Sequence, residues 1–337
     1  MKKMLPLILL TGMFACKDGK KIPDVSRIPV TVKIERFDQA FFSIDSNNIP
    51  IGLYQLNHEF PYFTSDFLVN ILGVGLPSDS NQAAFLGARQ FLVSYLPVRD
   101  SLSLKFRDLS RLENELRQGF RFVKYYFPNY QLPPKVVSFI GPFDAPGVAI
   151  TRYTLAIGLQ LYAGGNFSFY NSPQGHDMYP DYLSRRFEPA YITPNCIKAI
   201  EEDIFPDQSG NRPLIEQMVE KGKYWWLLDK LLPETPDSLK TGFTQRQLNW
   251  CRTNEGLIWN FFLQGDLFTI DQDIIKNYIG EGPNTQGMPD ASPGNIGQWV
   301  GWQIVNKYEA DHPGISAQQL MTTPAKTIFD EGKYKPK

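Results

Sequence analysis

KVVSFI (135–140), GVAITRY (147–153) and LAIGLQLY (155–162) are three short mid-chain stretches, and they decide the fold. They are rich in β-branched residues, which is typical of strands. Pro133-Pro134 precedes them, and Gly141-Pro142 and Gly164-Gly165-Asn166 supply the turns. We therefore predict two or three adjacent strands in the middle of the chain.

Outward from these strands, apolar residues recur at helical spacing on both sides. Before the strands the repeat runs through Leu109, Leu112, Leu116, Phe120 and Val123. After them it runs through Leu214, Met218, Trp225 and Leu228, and Pro233 closes it. One further stretch, Val30–Phe37, alternates apolar and polar residues and predicts a half-buried strand. Strands flanked by helices predict an α+β fold, mainly helical with one small central β-sheet.

Several helix starts are visible in the sequence. Thr193-Pro194 has the composition of an N-cap followed by proline at the first helical position. Ser292-Pro293 predicts the start of a helix that carries Trp299. Two pairs have capping-box spacing: Thr244 with Gln247, and Ser316 with Gln319.

The N-terminus has the pattern of a bacterial lipoprotein signal peptide. A short basic start leads into an apolar run, Leu5–Phe14, and Ala15-Cys16 closes it. We predict a signal peptide at 1–15, a lipidated Cys16 with its tether at 16–29, and one domain at 30–337. The alternative is an ordinary secretory signal with a chance cysteine, because Met13 and Phe14 depart from the usual lipobox.

Composition excludes some classes of function. The chain has 337 residues, is 42% hydrophobic and carries a formal net charge of -1, without a basic tract beyond the tether. Nucleic acid is therefore not an expected partner. No second apolar run is long enough to span a membrane. Cys196 and Cys251 either form a disulfide, which an oxidising compartment permits, or are two separate buried thiols.

Motifs for known chemistry are missing from the sequence. His58-Glu59 begins like a zinc-protease motif, but position 62 is Tyr62 where the second histidine is needed. The chain has no nucleophile elbow and no P-loop. His176 and His312 are interpreted as structural, and the acidic run at 201–203 as a solvated helix face. We predict neither a metal nor a cofactor.

Four blocks of sequence resemble the gliding-motility lipoproteins of the GldB type, found in Bacteroidetes-like bacteria. They are IERFD (34–38), AIGLQLYAG (156–164), QMVEKGK (217–223) and PGNIGQWVGWQIV (293–305), of which the last is the most specific. The resemblance covers most of the chain. It implies an envelope lipoprotein needed for gliding and for the type IX secretion system.

The resemblance also implies a zincin-like shape without its metal. Related lipoproteins carry a His-Glu-x-x-His helix where this chain has residues 191–200, which contain no histidine. Glu220 matches the position of a further acidic ligand in such relatives. We therefore interpret the chain as a non-catalytic, zincin-like scaffold that binds other gliding and secretion proteins. Its predicted location is the outer membrane, on the periplasmic face, held by the N-terminal lipid.

The predicted interaction site is a groove over the central strands. We place Arg152, Tyr170, Glu220, Glu255 and Trp299 near it, and expect an ion pair between Arg152 and Glu220. Two other functions stay open at this point. One is a cell-envelope hydrolase acting in the same groove through carboxylates such as Glu220 and Glu255. The other is a glycan-binding lipoprotein that uses exposed tryptophans.

Overall fold

The mid-chain stretches form one small mixed sheet in a computed structural model, which describes residues 22–78 and 82–336. Its strands are β1 (Ile34–Arg36), β2 (Lys135–Phe139), β3 (Val148–Ile150) and β4 (Thr154–Gly158). The spatial order is β1-β2-β4-β3; β3 pairs antiparallel with β4, and the other two pairings are parallel. The α+β prediction, mainly helical with one small sheet, is confirmed.

Helices make up most of the remaining described residues. Before the central strands they are α1 (Phe37–Phe42), α2 (Ile49–Glu59), α3 (Thr64–Asp66), α4 (Gln82–Ser94), α5 (Leu96–Lys105) and α6 (Ser110–Tyr126). After them they are α7 (Pro173–Met178), α8 (Asp181–Ser184), α9 (Ile192–Ile204), α10 (Leu214–Leu231), α11 (Asp237–Thr241), α12 (Gln245–Thr253), α13 (Glu255–Gln264), α14 (Gln272–Ile279), α15 (Ile296–Asp311), α16 (Ala317–Thr322) and α17 (Ala325–Gly332). A π-helical segment continues α3 over Phe67–Ile71, and 3₁₀ turns occur at Leu159–Leu161 and Pro189–Tyr191.

Strands β2 and β4 lie inside the protein rather than on its surface. All five residues of β4 are buried, as are the last four of β2. The one hydroxyl on β2, that of Ser138, donates to Asp38 Oδ1 at 2.6 Å and so ties the sheet to α1. Burial of parallel strands on both faces explains their continuous apolar sequence.

The predicted strands are shorter than their sequence patterns, and the one expected over 147–153 spans only Val148–Ile150. The strand expected over Val30–Phe37 occupies only Ile34–Arg36. Phe37 begins α1 instead, and its ring packs edge-on against Phe63 and Phe67. The strand expected over Leu155–Tyr162 ends at Gly158. There Gln160 turns inward, and its side-chain oxygen accepts a hydrogen bond from the Gly141 amide at 3.0 Å.

Of the four predicted helix starts, the two capping boxes are confirmed, and those at Thr193 and Ser292 are wrong. Both capping boxes, at Thr244 and at Ser316, are present. Thr193 is not an N-cap: α9 begins one residue earlier, after a 3₁₀ turn, and the Thr193 hydroxyl donates to Glu115 Oε2 at 3.2 Å. Ser292 does not begin a helix either. It accepts a hydrogen bond from the Thr285 amide, and α15 begins only after Asn295.

The two cysteines outside the signal region are separate buried thiols. Cys196 and Cys251 are both free, and burial raises the pKa of the Cys251 thiol to about 12. The signal peptide, Cys16 and the tether up to Lys21 lie outside the described residues. Among the residues that are described, none of the helices has the length and apolar character needed to cross a bilayer.

Candidate functional site

The closest helix contact in the C-terminal half joins two glycines, Gly222 on α10 and Gly301 on α15. A Cβ atom added at Gly222 would lie 2.1 Å from the carbonyl carbon of Gly301. One added at Gly301 would lie 1.7 Å from the carbonyl oxygen of Met218. The two helices therefore meet backbone to backbone, which only glycine permits. We call this contact the glycine crossing.

Glu220, the carboxylate matched above to an acidic ligand, lies on α10 two residues before Gly222. Its oxygens lie 3.1 and 3.0 Å from Lys223 Nζ, one turn along α10. Arg212 Nη1 approaches Glu220 Oε1 from the other side at 3.5 Å. Glu220 therefore lies between two cations, and both of its oxygens are occupied by Lys223.

Lys223 is a buried cation, and its side chain is only 2% exposed. Besides Glu220, its ammonium donates to the carbonyl oxygens of Thr323 at 2.6 Å and Met321 at 3.4 Å. These carbonyls end α16, where the helix dipole favours positive charge. Burial lowers the pKa of Lys223, and the charge of Glu220 opposes that shift. The ammonium thus links α10 to the C-terminal helices.

This cluster has little capacity for metal binding. A zinc site needs three or four His, Cys, Asp or Glu ligands that converge on one point. Among residues 22–78 and 82–336, no group of three such side chains is arranged to hold a metal ion. Glu220 would also have to leave Lys223 to become a ligand, and the ammonium would then be buried without its carboxylate.

Helix α9, which overlaps the histidine-free stretch 191–200 singled out from the resemblance, carries an unusual residue, Glu201. The Glu201 side chain is 1% exposed, and neither carboxylate oxygen has a hydrogen-bond partner within the described part of the chain. Burial raises the pKa of Glu201 well above its ordinary value, and the neighbouring Lys198 lowers it in part. Burial in turn lowers the pKa of Lys198 to about 8. Glu201 is therefore a buried acid that favours its neutral form.

A cleft of about 430 Å³ opens beside the first turn of α9. Its walls come from α6, from Thr193 and Pro194, and from the connection between α10 and α11. Phe122 and Leu239 are among its apolar lining residues, and Arg111 among its polar ones. This cleft is not the groove predicted over the central strands, because it is built from helices.

The five residues predicted to share a groove do not form one site. Tyr170 and Trp299 are 1% and 2% exposed, so both belong to the core and not to a surface. Arg152 is exposed and lies over the neighbouring Tyr153 ring, 5.1 Å from its centroid. Glu255 accepts a hydrogen bond from the Tyr334 hydroxyl at 2.5 Å.

The expected ion pair between Arg152 and Glu220 is replaced by the contacts of Glu220 with Lys223 and Arg212. Sequence reasoning missed both cations. The signal for Lys223 was available, since Glu220 and Lys223 are three residues apart on one predicted helix and therefore share a face. No comparable signal pointed to Arg212, which lies outside α10.

Comparison with known protein families agrees with the resemblance seen in the four sequence blocks. The family model described as "Gliding motility protein GldB", labelled GldB_lipo, matches residues 18–336. The match covers nearly the whole chain, and the chain belongs to this family of gliding-motility proteins. Neither the comparison with curated proteins nor the comparison with solved structures gives a match.

Proposed function

We propose that this chain is a lipid-anchored envelope protein of the gliding and type IX secretion machinery, and that it acts as a non-catalytic scaffold. Membership of the family supports the role in gliding motility. The family label, which marks lipoproteins, supports a location in the cell envelope. The zincin-like shape stays a prediction.

One observation carries the non-catalytic part of the proposal. Glu220 is held between Lys223 and Arg212, so its charge is already compensated by two cations. A general base must be free to take a proton, and a metal ligand must face the metal. Glu220 instead joins α10 to the end of α16 through Lys223. This arrangement supports a structural role for the residue at which a peptidase of this shape would bind its metal.

Anchoring follows from Cys16. Bacterial lipoproteins carry several acyl chains on such a cysteine, and two or more chains give stable membrane attachment. A scaffold held in this way would present its folded domain to other envelope proteins. The finer location that we propose is the periplasmic face of the outer membrane, since Lys17 and not aspartate follows the cysteine.

The test is deletion of the gene in its native host, scored for colony spreading and for secretion of proteins with type IX sorting domains. We expect both to be lost and to be restored by the wild-type chain and by Glu220→Gln. Cys16→Ala should not restore them. Normal spreading and secretion in the deletion strain would overturn the proposed role. Failure of Glu220→Gln, at normal abundance and stability, would overturn its non-catalytic part.

A further inference from the structure

Three large apolar side chains are exposed in the connection between α13 and α14 and in the first turn of α14. Phe268, Ile270 and Ile274 are 63%, 67% and 42% exposed. We call these three residues the apolar patch. Single exposed apolar residues are ordinary on protein surfaces, but large ones close together mark interaction sites. Phe268 and Ile270 are two residues apart in the connection between the helices, and Ile274 follows in the first turn of α14.

The backbone beneath the apolar patch is fixed at both sides by hydrogen bonds. Leu267 and Thr269 offer their carbonyl oxygens to the amides of Ile215 and Leu214, each at 2.9 Å. These amides belong to the first turn of α10, where a helix has no internal acceptors for them. Leu267 is itself buried. The segment is therefore attached to α10, and Phe268, whose side chain is exposed, lies between the two anchored carbonyls.

Short polar turns hold the two ends of the segment. Asp266 accepts a hydrogen bond from the Phe268 amide at 3.0 Å. Asp271 caps α14 and accepts from the amide of Asp273 at 2.9 Å. Exposure of the apolar patch is thus built into the backbone, and little conformational entropy would be lost when a partner covers it.

Charges around the apolar patch select the kind of partner. Asp266, Asp271 and Asp273 are all exposed, and residues 265–273 contain no lysine or arginine. On the neighbouring elements, Lys276 lies later on α14, Lys326 on α17 is paired with Asp330 at 2.6 Å, and Arg212, before α10, is paired with Glu220 at 3.5 Å. Helix α17 is close because its Phe329 ring lies 6.4 Å from that of Phe268. The rim of the apolar patch is therefore acidic.

We infer that the apolar patch is the docking site for another protein of the machinery, one that presents an apolar surface rimmed by lysine or arginine. A second copy of this chain would bring three carboxylates against three others, which is unfavourable. An anionic lipid surface would repel the same carboxylates. A basic, apolar protein surface is complementary in both respects. The inference rests on the proposed function, because the partner is taken to be a component of that machinery.

The test is site-specific photo-crosslinking in the native host, with benzoylphenylalanine placed at position 268 or 270. Matched controls carry it at Tyr54 or Leu104, which are 76% and 81% exposed but lie on α2 and α5. We expect one protein adduct at 268 and 270, at a yield at least ~10-fold above the controls, as for residues at the centre of an interface. The site of crosslinking on the partner should be apolar and flanked by lysine or arginine.

Other results would overturn the inference. They are an adduct with a second copy of this chain, an adduct with phospholipid, an adduct on an acidic surface, or no adduct above the controls. Charge is tested separately: Asp273→Lys should lower the yield roughly threefold, and Glu202→Lys on α9 should not change it. Equal yields in these two variants would contradict the acidic rim.

The experiment also separates this inference from the proposed function. A deletion strain that spreads and secretes normally removes the function itself. Suppose instead that the deletion strain fails to spread and that the double variant Phe268→Ser/Ile270→Ser restores spreading fully. This pair of results would overturn the docking site and leave the proposed function standing. The crosslinking result does not depend on how well the double variant folds, because the positions are probed singly.

Discussion

Helix α10 takes part in the glycine crossing and also holds the segment that carries the apolar patch. The two regions differ in the space available to side chains. At the crossing, a single added carbon atom would overlap the backbone of the facing helix. At the patch, whole apolar side chains extend into solvent from a backbone that α10 holds in place. The middle of α10 therefore stabilises the fold, whereas its first turn holds an exposed surface segment. Substitutions should therefore separate stability from function.

The largest effect is expected at the crossing itself, from Gly301→Ala. The new Cβ would lie 1.7 Å from the Met218 carbonyl oxygen, and backbone cannot move aside as a flexible side chain can. We expect a loss of at least about 3 kcal/mol in the free energy of unfolding, the upper part of the range for overpacked cores. Urea denaturation followed by circular dichroism measures it.

Gly256→Ala on α13 is the matched control for this substitution. Nothing lies within 4 Å of a Cβ atom at this position, so alanine should leave stability unchanged or raise it by about 0.5–1 kcal/mol. Equal losses in the two variants would contradict the role of the crossing.

The next effect is expected from the buried cation beside the crossing. Lys223→Met removes the ammonium that joins Glu220 to the end of α16. The carboxylate and two carbonyl groups then lose their donor, and we expect a loss of about 3 kcal/mol.

Lys221→Met is its control on the same helix. Lys221 is paired with Asp207 at 2.7 Å, but both side chains are about one-third exposed, so the loss should stay below about 1 kcal/mol. A smaller loss for Lys223→Met than for Lys221→Met, measured by urea denaturation, would show that Lys223 does not join the helices.

A third, smaller effect concerns the buried acid on α9. Burial raises the pKa of Glu201 in the folded protein, so the folded state holds this proton to a higher pH than the unfolded chain, in which the ordinary pKa is 4.5. The contribution of this proton to stability is therefore complete below pH 4.5 and is lost as the pH rises through the folded-state pKa. Glu201→Gln has no such loss. We expect it to exceed the wild type in stability by about 1–2 kcal/mol at pH 8 and to match it at pH 4.

The exposed neighbour Glu202 supplies the control for this pH dependence. Glu202→Gln should show the pH profile of the wild type in the same unfolding experiments at pH 4, 6 and 8. If the free energy of unfolding of Glu201→Gln changes with pH as that of the wild type does, the Glu201 carboxylate has hydrogen-bond donors in the folded state, and the prediction is wrong.

The smallest effect on stability is expected at the apolar patch. Phe268 and Ile270 are mostly exposed, so Phe268→Ser/Ile270→Ser removes few buried contacts. We expect a change within about 0.5 kcal/mol, as for surface substitutions in general. A loss of several kcal/mol in the same urea experiment would place these side chains in the core and would remove the contrast with the crossing.

Sequence reasoning found the elements that depend on local pattern. The mid-chain strands, the long helices α6 and α10 and both capping boxes follow from periodicity and from residue types at helix ends. It failed where distant parts of the chain decide the outcome. Thr193 looks like an N-cap, but its hydroxyl bonds Glu115 on α6, a contact between residues 78 positions apart.

The site was less predictable than the fold, for the same reason. Tyr170 and Trp299 were expected at a surface, since aromatic residues serve both cores and interfaces. Only tertiary packing shows that both are buried. Glu220 was named from the family resemblance, but its partner Arg212 comes from the loop before α10. The sequence did not indicate the apolar patch, because its exposure depends on hydrogen bonds between this segment and the first turn of α10, which is distant in the sequence.

The proposed role of α10 is twofold, since it would support the fold at the glycine crossing and a docking surface at its start. The most direct test is colony spreading of the deletion strain that carries the Phe268→Ser/Ile270→Ser chain, with protein abundance and melting temperature measured in parallel. We expect wild-type abundance, a melting temperature within ~2 °C of the wild type and no spreading. Full spreading at wild-type abundance would contradict it.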